Sequence, residues 1–151
     1  MDKLIMAIAT GGYVGYAPTA PGTWGTLIAF PIHILICMLS PLGYIIALAA
    51  IFFIAVITSG GAEKIIDRKD PGVIVIDEVI GMLIALIGAP AIPVVWFIAF
   101  LLFRFFDIVK PFPVSWPDKH LNGGLGIVLD DILAGLYTLL VLQAGYMLIG
   151  I

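Results

Sequence analysis

Residues 42–58 read LGYIIALAAIFFIAVIT, an apolar stretch without a single charged side chain. At a rise of 1.5 Å per residue, a helix of this length reaches about 25 Å, close to the roughly 30 Å hydrocarbon core of a bilayer. The sequence predicts an all-α, polytopic membrane helix bundle with five spans. Four spans are the alternative, because the first apolar segment is short and contains Pro31. The other four segments are 26–39, 73–89, 93–109 and 126–149.

The composition of the whole chain excludes an ordinary soluble domain. Hydrophobic residues make up 62% of the 151 residues and charged residues only 11%, and the mean hydropathy is +1.20. Soluble domains carry about 25% charged residues, and disordered chains are poor in hydrophobic ones. The net charge of −3 and the lack of a basic stripe exclude nucleic acid as a partner. We expect one membrane-embedded domain, 1–151, in which residues 1–25 are a cytoplasmic or interfacial segment.

The basic residues outside the apolar segments fall on alternate loops. If successive loops lie on opposite sides of the membrane, all these residues share one side, because the connections 40–41 and 88–93 contain no Lys or Arg. The positive-inside rule assigns that side to the cytoplasm. The sequence therefore predicts a cytoplasmic N-terminus and an outer C-terminus. The residues are Lys3, Lys64, Arg68, Lys69, Lys110 and Lys119.

Five carboxylates from three predicted spans reach one membrane depth near the cytoplasmic interface. Burying unpaired carboxylates is costly, and two basic side chains, Arg104 and Lys110, cannot neutralise five of them. A divalent cation can, and oxygen ligands favour Mg²⁺, Mn²⁺ or Ca²⁺ over zinc. The alternative is that the acids only reach the interface and pair with loop lysines. The five are Asp77, Glu78, Asp107, Asp130 and Asp131.

Two glycines lie on the acidic faces of the predicted helices. Asp77 shares a face with Gly81, and Asp131 shares a face with Gly135, because residues four apart are neighbours on a helix. Small residues let neighbouring helices approach closely, which would bring carboxylates from separate spans within reach of one ion. A role in packing alone would also account for both glycines.

Basic and polar residues near the acids are candidates for binding an anionic phosphate. Arg104, Asp107 and Lys110 project to about one side of the fourth span, where a guanidinium and an ammonium suit a phosphate. The alternatives are an Arg104–Asp107 pair within the helix and an interfacial anchor at Lys110. Loops rich in Pro and Gly precede the first and last spans and offer hydroxyl and backbone N–H groups. Their candidate residues are Thr19, Gly22, Thr23, Thr26 and Asn122.

Four motifs run in order between residues 16 and 137. They are PGTWGT at 21–26, DEVIG at 77–81, FRFFDIVKPFP at 103–113 and GGLGIVLDDILAG at 123–135. In these motifs and their order the chain resembles the phosphatidylglycerophosphatase A family. One departure occurs at Thr26, where many members have Ser, and it keeps the hydroxyl group.

The resemblance implies a Mg²⁺-dependent lipid phosphatase that converts phosphatidylglycerophosphate to phosphatidylglycerol in the bacterial inner membrane, with its active site facing the cytoplasm. It also implies that the five acids belong to that site. On this hypothesis Asp77, Glu78, Asp130 and Asp131 hold the metal, and Asp107 is a further ligand or base. The metal would activate water, while Arg104, Lys110 and the loop at 19–26 would offset phosphoryl charge.

A small transporter or cation-conducting oligomer is the alternative function. That class needs charged residues at the bilayer midplane and polar residues that continue to the far side. The outer halves of the predicted spans are almost wholly apolar, which argues against it. Association into a homo-oligomer is compatible with either function.

Overall fold

The computed structural model describes residues 1–149, and helices are the only regular secondary structure in that part of the chain. The predicted all-α class is therefore confirmed. A single 3₁₀ turn, Val14–Tyr16, lies between the first two α-helices. The α-helices are α1 (Asp2–Ala9), α2 (Pro21–Ile36), α3 (Pro41–Ile66), α4 (Ile76–Ala85), α5 (Pro93–Val109), α6 (Trp116–His120) and α7 (Gly124–Ile149).

Proline determines where three of the helices begin. α2, α3 and α5 each have Pro at their first position, where its fixed φ fits and its missing N–H is not needed. Ser40 also caps α3, since its Oγ accepts a hydrogen bond from the Gly43 N–H at 3.2 Å. α5 coincides with the predicted segment 93–109. The prediction of an irregular loop is wrong for residues 21–26, because Pro21 starts α2 there.

Within residues 1–149, two helices are long and apolar enough to cross a membrane, namely Pro41–Ile66 and the segment Gly124–Leu148 of α7. Together with the hydropathy of the chain, they indicate a membrane protein. α4 has ten residues, and so extends about 15 Å, well short of the predicted segment 73–89. It ends before Gly88, whose φ of +70° is incompatible with a continuing helix. The count of five spans and the N-in orientation stay predictions.

α4 is the centre of the bundle. It contacts α2, α3, α5 and α7, and most of its side chains are buried. Its apolar residues Val79, Met82 and Leu83 pack with Phe103 of α5 in the largest core cluster. A short helix enclosed in this way gains its stability from packing rather than from its own length. It carries Asp77 and Glu78 in its first turn.

α4 and α7 approach each other at two glycines. A Cβ atom at Gly81 would lie 2.6 Å from the carbonyl oxygen of Asp131, and one at Gly135 would overlap the carbonyl group of Gly81. Neither position has room for a methyl group. The predicted close approach of the acidic helices at Gly81 and Gly135 is therefore confirmed.

The N-terminal segment holds the chain that leads into α4. The Val75 N–H donates to the carbonyl oxygen of Ala9 at 2.9 Å. A Cβ atom at Gly25 would lie 2.6 Å from the Cβ of Val75, and Gly15 lies directly against the carbonyl of Val73. These contacts place the first turn of α4 beside the first turn of α2.

Candidate active site

Three carboxylates from two helices converge on one point. Asp77 and Glu78 come from the first turn of α4, and Asp131 comes from the second turn of α7. One oxygen atom of each lies within 4.8 Å of the others. Asp77 and Asp131 are buried, and Glu78 is half-buried. The structure thus brings together three of the five predicted acids in a group that we call the acid group.

Two oxygen atoms of the acid group have no donor among the described residues. Asp77 Oδ1 and Glu78 Oε2 are buried and accept no hydrogen bond. Burying a charged oxygen without a partner is costly, and the positive end of the α4 dipole offsets only a fraction of that cost. Three clustered carboxylates with free oxygens fit a hard divalent cation that prefers oxygen ligands.

Arg104 lies at the edge of the acid group. Its Nη1 is 2.7 Å from Asp107 Oδ2 and 3.8 Å from Glu78 Oε1. The pair with Asp107 within α5 is therefore present, as the alternative interpretation of Arg104 required, yet the same guanidinium also reaches α4. Asp107 lies outside the acid group, although its charge interacts with those of Glu78 and Asp131.

Asp130 is paired with a lysine, whereas its neighbour Asp131 belongs to the acid group. Lys110 Nζ donates to Asp130 Oδ2, and the backbone N–H of Asp131 donates to Asp130 Oδ1 at 3.0 Å. Burial by itself lowers the pKa of Lys110, but the charge and hydrogen bond of Asp130 raise it, and the resulting pKa lies above its ordinary value. Lys110 therefore stays charged. Asp130 is not in the acid group, and its predicted role as a fourth metal ligand stays a prediction.

The first turn of α2 lies against Arg104 and Glu78. A Cβ atom at Gly22 would lie 2.9 Å from Arg104 Nη1 and would overlap Glu78 Oε1, so a larger residue there would displace the ends of these two side chains. Ala20 at the N-cap provides no side-chain hydrogen bond to this turn, which also contains the half-buried Thr23. The N–H groups at a helix N-terminus are suited to bind anions.

Three other residues predicted to bind the phosphate are not shown beside Arg104 and Glu78 in this way. The hydroxyl of Thr26 is buried and donates to the carbonyl oxygen of Gly22 at 2.8 Å, so its proton is used within α2. Thr19 is exposed in the segment before α2. Asn122 is exposed and lines a polar depression of about 340 Å³ that none of the five acids lines. The structure therefore brings Gly22 close to Arg104 and Glu78, with Thr23 next to it in the same turn, but does not show Asn122 there.

The contact between Arg104 and Glu78 has no signal in the sequence. The two residues are far apart in the chain, and local spacing favours the pair of Arg104 with Asp107. Only the packing of α4 against α5 brings Glu78 into reach. Gly22 of the PGTWGT motif is the nearest indication of this contact in the sequence, since a small residue there permits the close approach of α2 to Arg104 and Glu78.

Comparisons with known proteins identify the family. A family model described as Phosphatidylglycerophosphatase A matches residues 7–146. A Haemophilus influenzae protein named Phosphatidylglycerophosphatase A is 38% identical over 144 residues, which cover 93% of this chain and 87% of the relative. An Escherichia coli protein of the same name is 37% identical over 132 residues, which cover 87% of this chain and 77% of the relative.

A third relative has a different name. A Bacteroides thetaiotaomicron protein, named Putative phosphatidylinositol-3-phosphatase, is 36% identical over 154 residues and covers 97% of this chain and 96% of its own. No solved structure matches the chain. The family match and the first two relatives agree with the four motifs and with the acids that the helices bring together. The chain therefore belongs to the phosphatidylglycerophosphatase A family.

Proposed function

We propose that this chain hydrolyses phosphatidylglycerophosphate to phosphatidylglycerol and inorganic phosphate. Family membership and the two relatives named for this activity support a lipid phosphatase. The observation that carries the chemistry is the acid group of Asp77, Glu78 and Asp131, which has buried oxygens without hydrogen-bond donors among the described residues. A site of this kind suits a divalent cation, which could in turn bind a phosphate, better than it suits an apolar substrate.

The cation proposed for this site is Mg²⁺. Asp77, Glu78 and Asp131 would hold it, and Asp130 is the further candidate ligand on α7. When bound, the cation supplies an activated water and polarises the phosphoryl oxygens. Asp107, beside Arg104 at the edge of the acid group, is the candidate base.

The residues around the acid group would bind the phosphate. Asp107 restrains the guanidinium of Arg104, which can then offer its remaining N–H groups to phosphate oxygens. The first turn of α2 presents a helix N-terminus beside that guanidinium. Lys110, held by Asp130, adds positive charge next to Asp131. Because the site is largely buried, these charges act in a medium of lower dielectric constant than water.

The substrate class agrees with the position of these groups on their helices. The acid group, Arg104 and Gly22 lie at the N-terminal ends of α2 and α4 and near the C-terminal end of α5. A lipid phosphomonoester keeps its acyl chains in the bilayer and its phosphate at the surface. Helix ends lie at that surface when the helices insert in the membrane. With the predicted orientation, this is the cytoplasmic surface of the bacterial inner membrane.

A substrate panel with controlled metal tests both parts of the proposal. Purified protein would be stripped with EDTA and assayed for phosphate release in mixed micelles of phosphatidylglycerophosphate, phosphatidic acid or phosphatidylinositol 3-phosphate. We expect no turnover after chelation, recovery on adding Mg²⁺, and the highest kcat/KM with phosphatidylglycerophosphate. Full turnover after exhaustive chelation would exclude the metal role.

Two other outcomes would change the assignment of function. A higher kcat/KM with phosphatidylinositol 3-phosphate would favour the activity for which the Bacteroides relative is named. Cation flux through liposomes without phosphate release would favour the transporter alternative. Phosphate release from the same liposomes without flux supports the phosphatase.

A further inference from the structure

An apolar groove of about 410 Å³ runs between α2 and α5. We call it the α2–α5 groove. Its rim includes the exposed side chains of Leu27 and Phe97, while Phe30 and Phe100 are half-buried inside it. The lining residues are Leu27, Phe30, Pro93, Trp96, Phe97 and Phe100.

The α2–α5 groove offers no unsatisfied polar group to an occupant. Among its lining side chains only Trp96 carries a polar atom, and its Nε1 already donates to the carbonyl oxygen of Pro90 at 3.0 Å. The Trp96 ring stacks on Phe30 with centroids 5.6 Å apart and meets the edge of His33 at 5.5 Å. These contacts fix the ring as a wall of the groove. The chemistry of the lining selects an apolar occupant.

The groove points toward the acid group, and its lining ends at Leu27 and Phe100, about one turn of helix short of Gly22 and Arg104. α2 and α5 are antiparallel, because Gly22 meets Arg104 at one end while Phe30 stacks on Trp96 at the other. Along α5, Phe100 lies one turn from Arg104 and Trp96 lies two turns from it, all on one face. Eight residues of helix separate Trp96 from Arg104, a distance of about 12 Å. Between these two contacts the helices leave the groove open.

A second apolar depression on α5 does not border α2. It lies between α5 and α7 and is lined in part by Ile98, Leu102 and Tyr146. On α7 it begins at Val141, ten residues and about 15 Å beyond Asp131. Leu102 is two residues from Arg104 and points to the opposite side of α5, so an occupant of this depression would face away from Arg104.

We propose that the α2–α5 groove binds one acyl chain of the lipid phosphomonoester whose phosphate lies at the acid group. This inference rests on the proposed function and specifies how the substrate is held. The headgroup would lie at the acid group, beside Gly22 and Arg104, and the chain would run from there past Phe100 toward Trp96. The groove therefore distinguishes a lipid phosphate from a free phosphomonoester of the same headgroup.

Filling the groove tests the proposal. Leu27→Trp fills it from α2 and Phe97→Trp fills it from α5, while Ile98→Trp in the second depression is the matched control. Each variant would be assayed on the long-chain lipid and on its deacylated, water-soluble headgroup. We expect kcat/KM for the long-chain lipid to fall about tenfold or more in both groove variants, because several methylenes lose their contacts. Activity on the deacylated headgroup, and the activity of Ile98→Trp on both substrates, should change less than about twofold.

Two results would overturn the groove as an acyl site. One is a parallel loss on both substrates in the groove variants, which would indicate damage to the acid group. The other is an equal effect of Leu27→Trp and Ile98→Trp on the long-chain lipid. If Leu27→Trp fails to elute as a folded species on gel filtration, Phe97→Trp from the opposite wall provides the same test.

A binding measurement separates this proposal from the proposed function. Native mass spectrometry of the protein in detergent would count the phospholipids that it retains. We expect wild-type protein and Ile98→Trp to retain one more lipid than Leu27→Trp. If wild-type protein hydrolyses no lipid phosphate yet shows this difference in retained lipid, the proposed function is wrong and lipid binding in the groove is supported. If wild-type protein is active and Leu27→Trp keeps both the lipid and full activity, only the proposal about the groove is wrong.

Discussion

Two carboxylate oxygens, Asp77 Oδ1 and Glu78 Oε2, are buried in the acid group without a hydrogen-bond donor in the described part of the chain. In the metal-free protein these oxygens lose solvation and lie close to the charge of Asp131. A cation that binds only the folded state removes that cost and stabilises the fold by mass action. Cation binding should therefore be measurable as an increase in the free energy of unfolding, independently of any phosphate release.

Asp131→Asn tests the acid group by that route. In wild-type protein, Mg²⁺ at a hundred times its Kd should add about 2.7 kcal/mol to the free energy of unfolding. We expect Asp131→Asn to lose this gain and at least about a hundredfold in kcat/KM, while its stability in EDTA equals or exceeds that of wild type, because repulsion is relieved. Thermal unfolding with and without Mg²⁺ measures the gain. Asp2→Asn, at an exposed position of α1, is the control and should keep both.

Lys110 is the partner of a buried charge. Lys110→Met leaves Asp130 buried without its cation, and we expect it to lower the free energy of unfolding by about 3 kcal/mol. The double variant Lys110→Met/Asp130→Asn removes both charges and should recover most of that loss. Denaturant unfolding of the two single variants and the double variant gives the coupling energy. A stability of Lys110→Met equal to that of wild type would show that the ion pair contributes nothing.

At the scale of the elements, the crossing of α4 and α7 depends on Gly81 and Gly135. A methyl group at Gly81 would lie 2.6 Å from the Asp131 carbonyl, so the helices must separate to admit it. We expect Gly81→Ala to destabilise the protein by about 2 kcal/mol. It should also lower kcat/KM, since Asp131 would move away from Asp77. Thermal unfolding and phosphate release provide the two measurements.

Gly145→Ala is the matched control for this crossing. Gly145 lies on the same helix, but no atom lies within 4 Å of the position that its Cβ would occupy. The substitution should leave activity unchanged and stabilise the protein by several tenths of a kcal/mol, about the difference in helix propensity. Equal losses in Gly81→Ala and Gly145→Ala would contradict a specific role for the crossing.

The crossing of α4 and α7 also shows which features of the site could be predicted from the sequence alone. Charge, hydropathy and spacing predicted the acids at one depth and the bounds of α5, because each of these depends on position along a helix axis. Rotation about that axis was harder to predict. Successive helical residues point about 100° apart, so Asp131 faces α4 while Asp130 faces Lys110, although the two are adjacent.

Two further differences have local causes. α2 begins at Pro21 rather than at residue 26, because proline at the first position accommodates a helix where the composition suggested a loop. α4 is shorter than its apolar segment because residues 73–75 pack against Ala9, Gly15 and Gly25 instead of forming a turn of helix. Neither the helix start at Pro21 nor the packing of residues 73–75 produces a periodic pattern in the sequence.

For the whole molecule, the distribution of Lys and Arg predicts the orientation. Single cysteines would be placed at exposed positions in a Cys37→Ser background and labelled with a reagent that does not cross the membrane. Ser40→Cys and Ala91→Cys should react from outside intact cells, whereas Gly72→Cys should react only after the membrane is opened. Labelling of Gly72→Cys in intact cells would show that the orientation is opposite to the predicted one. Equal labelling of Ala91→Cys and Gly72→Cys would show that no span separates the two positions.

The enclosed position of α4 has a consequence for biosynthesis. Its ten residues pack mainly against α7, which leaves the ribosome after α1 to α6. Until then Asp77 and Glu78 lack Asp131, and the short helix has no neighbour on that side. A nascent chain that ends before Gly124 therefore contains two of the three converging acids but not the assembled acid group, and under the proposed function it would not hydrolyse lipid.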